Sequence, residues 1–289
     1  MTARVARSAH ATPLLAPPTV RIGTRPNRGH LGLLALAAWT ELRASARNVE
    51  FAVGAVAIPV LLYVMFALPN PTALEGGTTM RTAMLVSLTA YGVISLAVFT
   101  FGEAVAKERG RGWTRTLRAT PLPIGIHLLA KTVTAVAHAA LIVTAMSLLA
   151  ATAGGVDLPA GTWIAFGVTM LAGVVTFSAL GYAIALLARP RAATVISNLV
   201  FLPLAFASGF FVPLSELPAP MRSFAPWLPT FHFGQLAYRI VMPPRDIEDL
   251  TGITPQSVAT HLAWVTVATT TLAGLALLAA RRESITRRG

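Results

Sequence analysis

The stretch Gly102–Lys131, GEAVAKERGRGWTRTLRATPLPIGIHLLAK, is a basic segment between two long apolar runs. The run before it, 83–101, carries no charge, and the run after it, 132–153, is apolar apart from His138. Each run is long enough to cross a hydrocarbon core of about 30 Å as a helix. Between them, ahead of Lys131, lie the charged residues Glu103, Lys107, Glu108, Arg109, Arg111, Arg115 and Arg118. The excess of basic residues predicts a cytoplasmic loop that joins two membrane spans.

The composition of the whole chain also indicates a membrane protein. Of 289 residues, 55% are hydrophobic and only 12% are charged, which is too apolar for an ordinary soluble domain. The net charge of +12 arises from short basic clusters beside apolar runs. We therefore expect these clusters to set the membrane topology, with the lipid bilayer and not nucleic acid as the partner. The absence of cysteine excludes disulfides and thiolate metal sites.

The first 50 residues divide into a tail and an amphipathic segment. Residues 1–30 are rich in arginine and lack acids, which predicts a flexible cytoplasmic tail; an organellar transit peptide is the alternative. In residues 31–50, leucines such as Leu34 and Leu42 share one side of a helix, and Arg43 and Arg47 lie on the other. This pattern predicts a helix along the cytoplasmic interface. It fits a partner-binding helix and a simple membrane anchor equally well.

Residues 31–289 are predicted to form a single all-α transmembrane domain with six spans. The spans are placed at about 51–68, 83–101, 126–153, 162–188, 192–212 and 258–280. With both termini in the cytoplasm, the internal segments hold 19 of 23 basic residues but only 5 of 11 acidic ones. An inverted topology would reverse this bias, so we predict that both ends are cytoplasmic.

A polar stripe marks the third predicted span. His127, Lys131, Thr134 and His138 recur every three or four residues, so they share one face of an apolar helix. Because polar groups avoid lipid, this face is expected to contact protein or water, and Lys131 is expected to snorkel to the interface. His138 would lie deeper, where it either touches a substrate pathway or makes an interhelical hydrogen bond.

Two segments resemble the permeases of ABC type-2 exporters, the membrane subunits of drug and antibiotic-resistance transporters. They are 107–131, KERGRGWTRTLRATPLPIGIHLLAK, and 208–241, SGFFVPLSELPAPMRSFAPWLPTFHFGQLAYRIV. In that family, the first segment docks on a separate ATPase subunit. The second forms short re-entrant helices between spans five and six that close the outer end of the pathway. The aromatic residues of the second segment also fit an ordinary interfacial belt.

The resemblance implies a permease of the bacterial plasma membrane that exports a hydrophobic or amphipathic drug, antibiotic or lipid-like compound. Two such chains, identical or related, would assemble with two ATPase subunits, which would bind ATP and magnesium. The implied ATPase-docking residues are Glu103, Lys107, Arg109, Trp113, Arg115 and Leu117, with Arg43 and Arg47 of the interfacial helix. The candidates for the pathway or its gate are Asn198, Phe210, Phe211, Phe231 and His138.

Catalytic motifs are absent from the sequence. Lys107 and Lys131, the two lysines of the chain, each follow an alanine, so there is no phosphate-binding loop. HExxH and GxSxG patterns are also missing. We therefore predict no catalytic residue, cofactor or metal in this chain. Two alternatives to the exporter remain open, an ion-coupled secondary transporter and a non-transporting membrane assembly factor.

Overall fold

The computed structural model describes residues 29–46, 49–112 and 122–286, and within these ranges the protein consists of helices and connecting loops. The α-helices are α1 (His30–Ala46), α2 (Val49–Leu62), α3 (Met80–Phe99), α4 (Val105–Gly110), α5 (Ile124–Thr152), α6 (Ala160–Leu187), α7 (Ala193–Ala207), α8 (Ala219–Phe224), α9 (Pro229–Val241), α10 (Pro244–Thr251) and α11 (Val258–Thr286). The described ranges contain no strand, and an isolated bridge joins Ala73 to Thr79. The predicted all-α class is confirmed.

Four helices are long and apolar enough to cross a membrane. They are Met80–Gly110, Gly125–Thr152, Ala160–Leu187 and Val258–Ala279. Two shorter apolar helices, Ala55–Ala67 and Ala193–Ala207, coincide with the first and fifth predicted spans. With 15 residues, α7 extends over about 22 Å, which is less than the hydrocarbon thickness. The six-span count, the cytoplasmic termini and the boundary between tail and domain therefore stay predictions.

The long helix Met80–Gly110 forms the centre of the bundle. Thr79 caps its first turn, because its side chain accepts a hydrogen bond from the Thr82 backbone N–H. Most of α3 is buried between α5, α6, α7 and α9. The approach to α6 is close at Gly181, where a Cβ atom would lie 2.7 Å from Phe101 Cβ. A glycine is required at this contact so that the two backbones can meet.

A π-helical segment, Thr100–Ala104, connects α3 to α4 within that long helix. It packs against α7 at Gly102, where an added Cβ would lie 2.5 Å from the Ser197 hydroxyl. The hydroxyls of Thr100 and Ser197 are both buried and have no hydrogen-bond partner among the described residues. Single π turns within α-helices frequently mark functional sites.

Prolines divide the chain between α7 and α11 into short helices. Pro218 and Pro243 immediately precede α8 and α10, and Pro229 opens α9, where its missing N–H is not needed. The short helices predicted between spans five and six are therefore present, whereas their re-entry into the membrane stays a prediction.

The segment between α2 and α3 is attached to the bundle through α10. The buried carboxylate of Asp246 accepts hydrogen bonds from the backbone N–H groups of Gly76 and Thr78. On the surface beside it, Arg245 Nη2 lies 3.0 Å from Glu75 Oε2. These contacts lie at the Met80 end of the long helix, opposite to α4.

Candidate functional site

A cluster of charged side chains lies where α1, α4 and α5 meet. Lys131 Nζ is 2.5 Å from Glu41 Oε1 and 2.7 Å from Glu108 Oε1. His127 Nε2 lies 3.3 Å from the other oxygen of Glu108. We call Glu41, Glu108, His127 and Lys131 the ion cluster. It connects three elements that the chain order separates, because Glu41 lies on α1, Glu108 on α4 and the two basic residues on α5.

The ammonium group of Lys131 is the buried member of the ion cluster. Its side chain is only 4% exposed, whereas those of Glu41 and Glu108 are 33% and 30% exposed. A buried ammonium group is tolerated when nearby acceptors replace its water. Two carboxylates do so here, and the predicted position of Lys131 at the membrane interface stays a prediction. The carboxylates themselves retain contact with solvent.

The polar stripe of α5 is confirmed as a face that contacts protein. His127, Lys131, Thr134 and His138 are all buried. His138 lies about two turns from Lys131, and its Nδ1 is 2.8 Å from the Thr134 carbonyl oxygen. Its Nε2 is 3.1 Å from Ser45 Oγ of α1. Because the carbonyl can only accept, Nδ1–H donates to it and Nε2 accepts from the serine. This interhelical hydrogen bond is a second attachment of α1 to α5.

The predicted docking residues have different positions around the ion cluster. Arg43 is exposed on α1, two residues after Glu41. On α4, Lys107 is 56% exposed and forms an ion pair with Glu103. Arg109 donates to the carbonyl oxygens of Ala185 and Ala188 at the end of α6, a favourable place for a cation. Arg47, Trp113, Arg115 and Leu117 lie outside the residues whose side chains the structure describes.

The predicted pathway residues do not form one site. Phe210 and Phe211 line a cavity of about 190 Å³ beside Met80, at the far end of the long helix. Phe231 is buried in a separate small core with Leu214 and Leu228, and Asn198 is exposed on α7. His138 belongs to the contact between α1 and α5. Their role in a pathway stays a prediction.

Five aromatic rings form a continuous column between α3 and the chain around α7. Successive ring centroids lie 4.6, 4.8, 5.4 and 5.7 Å apart, in the order Phe206, Phe211, Tyr91, Phe201 and Phe99. Such spacings are typical of favourable aromatic pairs. We call this set the aromatic column. Sequence reasoning identified only Phe211, since the other rings are scattered along apolar runs in which nothing distinguishes them from lipid-facing residues.

A pair of histidines connects α9 to α11. His232 Nδ1 is 2.7 Å from His261 Nδ1, and His232 Nε2 is 2.9 Å from the Pro226 carbonyl oxygen. His232 Nε2–H therefore donates to the carbonyl, and its Nδ1 accepts from His261. The His232 ring also stacks on Trp264, with centroids 5.1 Å apart. Burial lowers the pKa of His232 below that of a free histidine. The sequence analysis did not identify this pair.

The described residues contain no group of three or more His, Asp or Glu side chains arranged to hold a metal ion. They form a helical membrane protein with a charged cluster at one end of its central helix and an aromatic-lined cavity at the other. The family profile described as ABC-2 type transporter matches residues 33–242, so the chain belongs to this family. It is a permease subunit of a transporter, and its family implies an ABC ATPase as partner.

A curated relative agrees with this assignment. Over 201 residues the chain is 30% identical to YvfS of Bacillus subtilis (strain 168), which is named as a transport permease. The aligned region covers 70% of this chain and 82% of YvfS. The family resemblance that the sequence indicated is thus confirmed.

Proposed function

We propose that this chain is the membrane subunit of an ATP-driven exporter of the bacterial plasma membrane, moving a hydrophobic or amphipathic compound outward. The observation that carries this proposal is the ion cluster, which joins the interfacial helix α1 to α4 at the start of α5. Elements connected through buried charges move together, because separating them would leave a charge unpaired. A protein bound to α1 and α4 could therefore act on the transmembrane bundle.

The proposed ATPase-docking surface is the exposed side of α1 and α4 next to the ion cluster. Arg43 and Lys107 supply its exposed basic groups, each within two residues of a cluster glutamate. Further candidates follow α4 in the chain, at Trp113, Arg115 and Leu117. Because α4 continues through the π segment into α3, a displacement of α4 on ATP binding would reach the contact between α3 and α7.

The proposed transport route follows the contact between α3 and α7. The aromatic column extends along this contact, from Phe99 near the π segment to Phe206 and Phe211 near the cavity. An amphipathic compound can exchange apolar contacts with successive rings without entering water. In the complete exporter, two membrane chains, identical or related, would enclose the route above two ATPase subunits.

The test is native mass spectrometry of the gently solubilised complex, purified from its own membrane through a tag on this chain. We expect two soluble ATPase subunits with two membrane subunits. The double variant Arg43→Glu/Lys107→Glu should lower the recovered ATPase by about tenfold or more, since each reversed contact is worth about 1 kcal/mol.

The matched control is Arg245→Glu/Glu75→Lys, which exchanges an exposed ion pair at the opposite end of the bundle. This control should retain the ATPase. Equal recovery from the Arg43/Lys107 variant would refute the docking surface. Recovery of the chain without any ATPase, under conditions that preserve a known ABC complex, would favour an ion-coupled secondary transporter or a non-transporting assembly factor.

A further inference from the structure

The cavity beside Met80 combines aromatic, thioether and carboxylate groups. Its wall includes the aromatic residues Phe210, Phe211 and Tyr238, the methionines Met80 and Met84, and Glu216. Aromatic faces attract organic cations, flexible methionine side chains adapt to irregular ligands, and a carboxylate adds a full opposite charge. A wall made only for a neutral apolar compound would not need the carboxylate.

Glu216 is the one charged residue among the described residues that line this cavity. It is exposed in a short 3-10 turn, Leu214–Glu216, and forms no ion pair with any described residue. The nearby Arg222 instead directs Nη1 to the carbonyl oxygen of Ser215, at 3.4 Å. The negative charge of Glu216 is thus available to a ligand in the cavity.

The cavity adjoins the aromatic column, because Phe211 lines the cavity and is also a member of the column. Its ring centroid is 4.8 Å from that of Tyr91 and 4.6 Å from that of Phe206. A ligand with a charged head and an apolar body would find a carboxylate in the cavity and ring faces along the column. The two halves of this site thus match the two halves of an amphipathic cation.

We propose that the cavity is a substrate subsite that selects amphipathic organic cations, with Glu216 and the ring of Phe211 facing the cationic group. The inference rests on the proposed transport function, since it names the class of compound that the permease carries. It also has a sign. An anion of the same size would meet the carboxylate of Glu216 and no compensating cation in the described wall.

The test measures binding to the full chain in lipid nanodiscs, without the ATPase, by isothermal titration calorimetry. The probe is benzyltrimethylammonium, whose charge is independent of pH. Its matched control is phenylmethanesulfonate, which has the same ring and a tetrahedral head of opposite charge. We expect saturable binding of the cation and at least about tenfold weaker binding of the anion.

Two variants test the named residues. Glu216→Gln should weaken cation binding about fivefold, because an exposed charge contact is worth up to about 1 kcal/mol. Phe211→Leu keeps the apolar bulk, removes the ring face and should weaken binding about threefold. Glu248→Gln, an exposed carboxylate outside the cavity wall, is the matched control and should bind like the natural protein.

No saturable binding of the cation, equal binding of the sulfonate, or unchanged binding by Glu216→Gln would each overturn the inference. These outcomes are separate from the ATPase test. A chain that recovers its ATPase but does not bind the cation is an exporter with another substrate class. If the chain binds the cation through Glu216 but recovers no ATPase, the subsite is supported and the ATP-driven mechanism is refuted.

Discussion

Replacing Lys131 with methionine should destabilise the protein by about 2 kcal/mol. The substitution keeps the length of the side chain and removes the ammonium group that lies between Glu41 and Glu108. Breaking a fully buried ion pair from one side costs about 3–5 kcal/mol, because the remaining charge stays desolvated. Here the two carboxylates are about one third exposed, so water compensates part of the loss and the lower figure is expected.

The control for this prediction neutralises Lys131 together with both of its carboxylate partners. In Lys131→Met/Glu41→Gln/Glu108→Gln no charge is left unpaired, so stability should return to within about 1 kcal/mol of the natural protein. The measurement is the free energy of unfolding in mixed micelles, with recovery of the ATPase as a second readout. The single variant should lose both stability and ATPase, because the contacts of Lys131 with α1 and α4 are lost and the remaining contacts at Ser45 and His127 hold these helices less firmly. Unchanged stability together with full ATPase recovery in Lys131→Met would refute the structural role of the cluster.

Three further predictions concern contacts elsewhere in the chain. Gly181→Ala should lower the free energy of unfolding by about 1–3 kcal/mol, since its Cβ would overlap Phe101. Gly125→Ala is the control, because its Cβ meets nothing within 4 Å. Thermal unfolding compares the two variants, and equal unfolding midpoints would contradict the close contact at Gly181. Asp246→Asn should lower the free energy of unfolding by about 1–2 kcal/mol, because it weakens two backbone hydrogen bonds. Asp249→Asn, at an exposed aspartate, is the control, and an equal loss in the control would exclude a specific effect. The pKa of His232 is lowered by burial, so the folded protein binds fewer protons than the unfolded chain and loses stability as the pH falls through about 6.5. Unfolding curves at pH 7.5 and 5.5 should differ less in His232→Gln, and an undiminished difference would count against this assignment.

The long apolar helices were predictable because their signal is local. Runs such as 83–101 and 162–188 are long and apolar, and helices occupy both. The helix predicted over 31–50 from its periodicity is present as α1, and its position at the membrane interface stays a prediction. The π segment was not predicted, since a wide turn leaves no mark on the apolar pattern. It packs against α7 at Gly102, and that packing is not visible in the sequence.

The candidate site was predictable only in part, for a related reason. The spacing of His127, Lys131 and His138 located the polar face of α5. The partners of Lys131 are 90 and 23 residues away in the chain, so periodicity gave no indication of them. Tyr91 of the aromatic column was not predicted for the same reason, because its ring partners Phe201 and Phe211 are far from it in the chain. Contacts between distant residues have to be seen in the fold.

The π segment Thr100–Ala104 determines where the long helix tolerates a change of length. A π turn holds one residue more than an α turn, so deleting one residue from this segment leaves an unbroken α-helix whose two ends keep their orientation. A deletion at any other point rotates one end against the other by about 100°. Such a rotation would turn Glu108 away from Lys131 while Met84 still faced the cavity. Among relatives of this permease, a helix shorter by one residue is therefore expected to carry its gap here.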